Sequence, residues 1–268
     1  MSVRLRLGSP NAALDAAFDP LVARVLAHRG INDPAQVDYQ LKNLLPYHQF
    51  KGINEAVALL VNALEAQQHI VIVGDFDCDG ATSTSLAMLA LGAMGAKNVS
   101  YLVPNRFDFG YGLSTALVDY AKASEPDLIV TVDNGIASHE GVIRAHELGI
   151  KVLVTDHHLA ADTLPEADAI VNPNQPGCKF PFKSTAGVGV IFYVMSALRR
   201  QLQTQGWFDQ QGITPPNMAQ YLDLVALGTV ADLVPMEHNN RILVAQGVAR
   251  IRAGKARPGL LALLSIAK

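Results

Sequence analysis

Short apolar runs alternate with helix-length segments from about residue 69 to 172, and three of those runs end directly in carboxylates. His69-Ile70-Val71-Ile72-Val73-Gly74 is followed by Asp75-Phe76-Asp77-Cys78-Asp79-Gly80, Leu128 to Val132 by Asp133-Asn134-Gly135, and Lys151 to Thr155 by Asp156-His157-His158. Such an alternation reads as successive βαβ units, which build a parallel sheet. The spacing predicts helices at 81–95, 114–124 and 138–148, with further strands at Val99–Val103 and Ala169–Val171. In an open parallel sheet the ligand crevice lies outside the carboxyl ends of the strands. The polar ends Asp75, Pro104-Asn105-Arg106, Asp133-Asn134, Asp156-His157-His158 and Asn172-Pro173-Asn174 therefore converge on one rim, although they are far apart in the chain.

The flanks lack this rhythm. Residues 1–50 read as a helical lead-in broken by Pro10, Pro20, Pro34 and Pro46. Beyond a loop at 173–185 rich in Pro, Lys and Phe, helices are expected near 186–204, 218–230, 239–253 and 258–267, with a Gly/Gln/Pro connection at 206–217. The expected fold is thus α/β: a parallel sheet flanked by helices, with an N-terminal helical lead-in and a helical C-terminal part. The last helix runs to Lys268 without a capping glycine or breaker, as expected of a chain cut rather than finished. With 268 residues, half of them apolar, the chain can bury a substantial core. Its longest nearly unbroken apolar stretch, Ala186 to Leu198, falls short of the roughly 20 residues of a membrane span. Met1 to Leu7 carries arginines but no apolar signal region. Two cysteines make no disulfide framework and suit a reducing cytoplasm. The net charge of −3 lacks the basic excess of many nucleic-acid binders. Bound cations would reverse that balance locally, so net charge does not select the substrate.

In Asp75-x-Asp77-x-Asp79-Gly80 the acids alternate just past a strand, and an extended segment would project all three to one side. Bare carboxylates so placed repel one another unless cations neutralise them or some protonate. Carboxylate oxygens suit Mg²⁺ or Mn²⁺, and an imidazole tilts the choice toward Mn²⁺. A solvated acidic turn is the plainer alternative. A Ca²⁺ loop of the EF-hand kind opens the same way, but it needs a preceding helix and a Glu where Leu86 stands. Asp133 alone serves equally well as a helix cap. Past a strand end, one of His157 and His158 can ligate metal while the other reaches substrate. Asp232, near the end of an apolar helix, needs a partner: Arg241, Arg250 or a metal. Arg106, in a loop loosened by glycines, suits a phosphate contact or is a surface cation. Gly187-Val188-Gly189 could offer N–H groups to an anion, but it lacks the dinucleotide fingerprint and favours close helix packing. Cys78 reads as a small filler.

Together, Val73 to Thr84, Val103 to Ser114, Val130 to Ile136, Val154 to His158, Ala186 to Val190 and Leu227 to Pro235 resemble the DHH phosphoesterase family, and within it the bacterial single-stranded-DNA-specific exonucleases. The resemblance implies a DHH domain over 51–268, after a lead-in over 1–50, without the DHHA1 and OB-type domains that follow in that branch. It implies a two-ion enzyme, using Mn²⁺ or Mg²⁺, that hydrolyses single-stranded DNA from its 5′ end in recombination and repair. By that likeness Asp133 would bridge both ions, with Asp77 on one and Asp79, His157 and Asp232 on the other. Many members carry a histidine where this chain has Val73, and Asp75 would compensate directly or through water. Asp156 would orient a neighbouring ligand from behind. His158 and Arg106 would meet the scissile phosphate, with Asn134, Ser83 and Gly187 also on substrate. Implied partners are single-stranded DNA, its single-strand-binding protein and a RecQ-type helicase. Two other readings are hydrolysis of short oligonucleotides or cyclic dinucleotides, and a non-catalytic replication scaffold. The scaffold would be expected to have lost several acids, and this chain keeps them.

Overall fold

The computed structural model describes residues 11–267, so Met1 to Leu7, the break at Pro10 and the terminal Lys268 lie outside the described residues. The lead-in forms α1 (Ala12–Ala17) and α2 (Pro20–His28), followed by 3₁₀ turns at Pro34–Val37, Leu41–Asn43 and Tyr47–Gln49. Asn11 and Asp19 cap the two helices through their side chains, and Pro20 sits in the first turn, where its missing N–H costs nothing. Next comes α3 (Ile53–Glu65), a helix the sequence reading left out. Its buried Ile53, Ala56, Val57, Leu60, Val61 and Leu64 recur at the three-and-four spacing of a helix face.

The central unit then runs β1 (Ile70–Gly74), α4 (Cys78–Ala93), β2 (Val99–Leu102), α5 (Arg106–Phe109), α6 (Thr115–Lys122), β3 (Leu128–Val132), α7 (His139–Glu147), β4 (Lys151–Thr155) and β5 (Ala169–Val171). All the strands pair in parallel, in the order β2-β1-β3-β4-β5. This is the α/β sheet that the alternation predicts. Its order doubles back between β1 and β3, which places the switch point of the sheet between their carboxyl ends. One face (Ile70, Ile72, Leu128, Val130, Val132, Leu153) packs on α3, α4 and the helices that follow the sheet. The other (Val71, Val73, Ile129, Val152, Val154) packs on Leu117, Val118 and Ala121 of α6 and on Val142 and Ala145 of α7. Burial on both faces explains why these strands read as continuous apolar runs.

The C-terminal part comprises α8 (Gly187–Thr204), α9 (Trp207–Gln211), a 3₁₀ turn at Met218–Tyr221, α10 (Leu222–Ala231), α11 (His238–Arg252) and α12 (Pro258–Ile266). The predicted connection at 206–217 thus holds a short helix, pinned by Trp207, whose indole N–H donates to the Met94 carbonyl. Among the described residues no helix is long and apolar enough to cross a membrane. Helices α10 and α11 approach closely at Gly247, where a Cβ would run into the Leu222 carbonyl and Ala226. Gly247→Ala should therefore lower stability by about 1–3 kcal/mol in urea unfolding. Divalent-cation affinity should be unchanged, since α11 supplies none of the rim acids.

Candidate metal centre

Each rim acid sits one step past its strand, still on the ladder. The N–H groups of Asp75, Asp133 and Asp156 donate to the carbonyls of Val132 (3.4 Å), Thr155 (3.0 Å) and Val171 (3.1 Å). The acids are thereby fixed to the sheet, not to flexible loops. The expectation that Asp75, Asp77 and Asp79 share one extended face is corrected by the helix. Asp77 accepts from the Gly80 N–H (2.9 Å) as N-cap of α4, so the helix starts at Cys78 and Asp79 already lies in its first turn. A short polar side chain after a strand competes for the backbone and nucleates the turn.

That turn aims Asp79 inward, fully buried. Its oxygens accept from the N–H groups of Gly187 (2.6 Å) and Val188 (2.9 Å), so it caps α8 from across the sheet edge. Asp133, 1% exposed, has φ +63°, the left-handed region that costs a non-glycine residue on the order of 1–3 kcal/mol. Asn134 braces this corner, its amide donating to the carbonyls of Val73 (3.1 Å) and Val132 (2.9 Å) and so tying β1 to β3. Asp156 Oδ1 accepts from the N–H groups of His157 (2.7 Å) and His158 (3.1 Å) and pairs with His158 Nδ1 at 2.7 Å, while Oδ2 accepts from the Ile136 N–H (2.9 Å). These bonds shape the histidine turn.

The imidazole of His157 enters the acid cluster. Its Nε2 lies 3.1 Å from Asp133 Oδ1, 3.6 Å from Asp232 Oδ2 and 3.9 Å from Asp79 Oδ2. None of these contacts has hydrogen-bond geometry: Asp133 Oδ1, His157 Nε2 and Asp232 Oδ2 are all buried and unpartnered. Asp232 forms no ion pair with Arg241 or Arg250, the alternatives its sequence position left open. Orphaned buried polar atoms are rare in folded proteins and call for an explanation. Three overlapping sets have ligand atoms within 4.8 Å of one another: Asp75-Asp77-Asp133, Asp79-His157-Asp232 and Asp133-His157-His158. Asp133 belongs to two of them. Gly187 leaves the space, since a Cβ there would stand 2.5 Å from Asp133 Oδ1. Hard oxygen donors with one imidazole, unpartnered and cradled without a side chain opposite, fit divalent cations of the Mg²⁺ or Mn²⁺ type.

The electrostatics agree with that fit. Burial first, then the neighbouring carboxylates, pushes Asp133 up to about 9 and Asp79 up to about 8, and burial also raises Asp75 and Asp232. Burial would raise Asp156 too, but its hydrogen bonds and ion pair with His158 hold it below the usual carboxylate range. The bond to Asp156 in turn lifts His158 to about 9. The Tyr111 hydroxyl lies 3.3 Å from His158 Nε2, and burial pushes its ionisation up.

Of the residues expected on substrate, Arg106 stands with its guanidinium 4.4 Å over the Phe76 ring, exposed beside Asp75. Asn134 spends its amide N–H groups on the backbone. Ser83 is fully buried in α4, and the Gly187 N–H goes to Asp79 instead of to an anion. Sequence reasoning passed over Tyr111 and Gly228. An aromatic side chain between Gly110 and Gly112 was the signal for the first. For the second it was a glycine inside an apolar helix; a Cβ there would stand 2.8 Å from Asp79 Oδ1.

A doubly covered parallel sheet with an acid and imidazole cluster at its switch point defines an α/β protein built for divalent cations. The model of the DHH family, N-terminal domain, matches residues 69–229, and the chain belongs to the DHH family. It is 57% identical over 264 residues to the single-stranded-DNA-specific exonuclease RecJ of Salmonella typhimurium, covering 98% of this chain and 46% of that protein. It is 55% identical over 267 residues to RecJ of Escherichia coli, covering 100% and 46%. The crystal structure of RecJ in complex with Mn²⁺ from Thermus thermophilus superposes with a TM-score of 0.74 at 34% identity, over 97% of this chain and 36% of that one. The chain thus spans about half the length of the curated relatives it matches, 46% in both cases.

The raised acids set a pH dependence. Groups whose pKa is higher folded than unfolded stabilise the fold when protonated, and that stabilisation is lost as pH rises through the folded value. For Asp79 and Asp133 the loss runs from near 3.8 up to about 8 and about 9, and for His158 from 6.5 up to about 9. Cation-free protein should therefore lose urea stability as pH rises toward 9. Added Mn²⁺ should restore more of it the higher the pH. Calorimetry in buffers of different ionisation enthalpy should show proton release on Mn²⁺ binding at pH 7, largely abolished in Asp133→Asn; release of no protons would contradict the protonated cluster.

Proposed function

We propose that this chain is the catalytic core of a metal-dependent exonuclease that removes nucleotides from the 5′ end of single-stranded DNA, with residues 51–268 as its DHH domain and 1–50 as lead-in. One observation carries the reading: unpartnered, buried Asp133 Oδ1, His157 Nε2 and Asp232 Oδ2 meet at the switch point of the sheet. The identity to RecJ exonucleases over nearly the whole chain supports the substrate, and the RecJ structures with Mn²⁺ and Mg²⁺ support the cofactor.

In this reading Asp75, Asp77 and Asp133 would hold one divalent ion, while Asp79, His157 and Asp232, with Asp133 shared, would hold the second. Bound together, two such ions lower the pKa of water and stabilise the charge that grows on phosphoryl oxygens in an in-line displacement. The protein's own groups do the positioning. Asp156 accepts a hydrogen bond from the Nδ1–H of His158, which leaves Nε2 free for the rim and favours the charged imidazolium, so it donates to a phosphate oxygen at neutral pH. The Tyr111 hydroxyl, kept protonated by burial, steadies that ring. Arg106, stacked on Phe76, presents a planar guanidinium beside the same rim and suits a second phosphate contact. Work in cytoplasmic repair and recombination, with single-strand-binding protein and a RecQ-type helicase nearby, belongs to the same proposal.

The test is Mn²⁺-dependent release of nucleotides from end-labelled single-stranded DNA. Asp133→Ala should nearly abolish release while leaving the circular dichroism of the fold intact; full turnover would remove Asp133 from the centre. His158→Ala should lower turnover on the order of 10²-fold, as loss of one transition-state donor does, with Mn²⁺ affinity kept. Loss of Mn²⁺ binding in that variant would make His158 a ligand instead.

A further inference from the structure

The lead-in lies outside residues 69–229, the part of the chain that the DHH model matches, yet it is built into the molecule by side chains of α11. His238 Nδ1 bonds the Gln36 carbonyl (2.9 Å), and Asn239 Oδ1 accepts from the Leu45 N–H (3.2 Å). Arg241 donates to the Arg29 carbonyl (3.3 Å), and Gln246 donates to the Tyr39 carbonyl (2.7 Å). On its other side the same helix start fixes the loop that leads away from the metal centre. Asn240 donates to the carbonyls of Ser184 (2.8 Å) and Pro235 (3.0 Å), and Glu237 accepts from the Ser184 hydroxyl (2.9 Å). Between these ties lies a cleft of about 880 Å³, lined among others by His28, Arg29, Gln36, His238 and Arg241. Arg29 and Arg241 form no ion pair among the described residues, and the one carboxylate on the wall, that of Glu237, is engaged by Ser184. The cleft wall includes Pro235, Met236 and Glu237, which follow Asp232 of the acid cluster by three to five residues. In that loop Leu233 is 86% exposed and held at φ +60°.

We infer that this cleft is a second nucleic-acid subsite, in which Arg29 and Arg241 bind backbone phosphates of the single strand whose end lies at the metal centre. The inference rests on the proposed exonuclease reading and extends it to the lead-in. The Arg241 guanidinium, tethered by one N–H to the Arg29 backbone carbonyl, keeps other N–H donors for an anion, the exposed Arg29 side chain on the same wall adds a second cation, and the His28 and His238 rings line the cleft beside them. The volume exceeds that of inorganic phosphate and falls in the range of nucleotide-sized sites. Such contacts are electrostatic and sequence-independent, as grip on a strand being shortened must be.

The experiment measures anisotropy of a labelled oligothymidylate, protected by a 5′ phosphorothioate, with the 268-residue chain in Mn²⁺ across a salt series. Arg29→Glu with Arg241→Glu should weaken binding at least about tenfold and flatten the log–log salt slope by about 1.4, the value for two lost phosphate contacts at roughly 0.7 each. Arg29→Gln with Arg241→Gln removes both charges without reversing them and should show the same flattening, with circular dichroism showing the fold retained. Lys122→Glu with Lys151→Glu makes the same charge change at the opposite, amino edge of the sheet and should leave the slope unaltered. Strands carrying 4-thiothymidine should crosslink to residues 28–36 or 235–241. Equal loss in the two reversed pairs, an unchanged slope, crosslinks confined elsewhere or no strand binding at all would overturn the cleft. Mn²⁺-dependent hydrolysis of bis(p-nitrophenyl) phosphate reports on the centre without the strand and should survive all these variants. Its absence from the unsubstituted chain would overturn the catalytic reading and with it the cleft's role as a subsite, which tells the two failures apart.

Discussion

Everything at the rim of this sheet answers to one electrostatic problem: Asp79, Asp133 and Asp232 are gathered around a single imidazole in a region water hardly reaches. Like charges at such distances cannot all ionise without compensation. The fold compensates in part. The first N–H groups of α8 bond both oxygens of Asp79 and offset part of its burial cost, and the bonds of Asp156 commit it to the histidine turn. The remaining negative charge is carried by atoms that have no protein partner. A site so arranged is stable when cations or protons occupy it, and this makes cation binding and folding one linked equilibrium.

Rigidity comes from the same residues. Asp133 is held in a left-handed backbone conformation by the ladder bond to Thr155 and by Asn134 spanning β1 and β3. Close approach of α8 and α10 is possible because Gly187 and Gly228 present no side chain to Asp133 and Asp79. The helices after the sheet thus do more than cover a face: α8 lends its amino end to the centre, α10 delivers Asp232, and α11 anchors the lead-in beside it. A centre drawn from distant segments on ladder ends and helix starts has little freedom to relax. Pre-organised ligands of that kind are what charge stabilisation in a transition state requires.

Much of this was legible in the residues. Apolar runs ending in Asp75, Asp133 and Asp156 give away parallel strands whose carboxyl ends meet, because burial on both faces and the polar rim leave separate marks on the sequence. Less legible were α3, whose three-and-four period lies just ahead of the strands, and the start of α4. There the acid repeat looks extended until Asp77 is seen to cap a helix. Gly187 and Ser83 were placed on substrate from motif position. Which group an N–H or hydroxyl meets is decided by neighbours far along the chain, here Asp79, more than a hundred residues earlier.

The sequence by itself therefore determined the class of fold, the identity of the acids and the chemistry of cation they suit, because strand period and donor type are local properties. The family likeness already implied a shared Asp133, for which the structure supplies two candidate ligand sets; the tertiary structure alone decided that Asp79 caps α8, which bonds of Asp156 shape the histidine turn, and that the lead-in lines a cleft against α11. These depend on distances between segments brought together only when the sheet twists and the helices pack, and no local pattern records such distances.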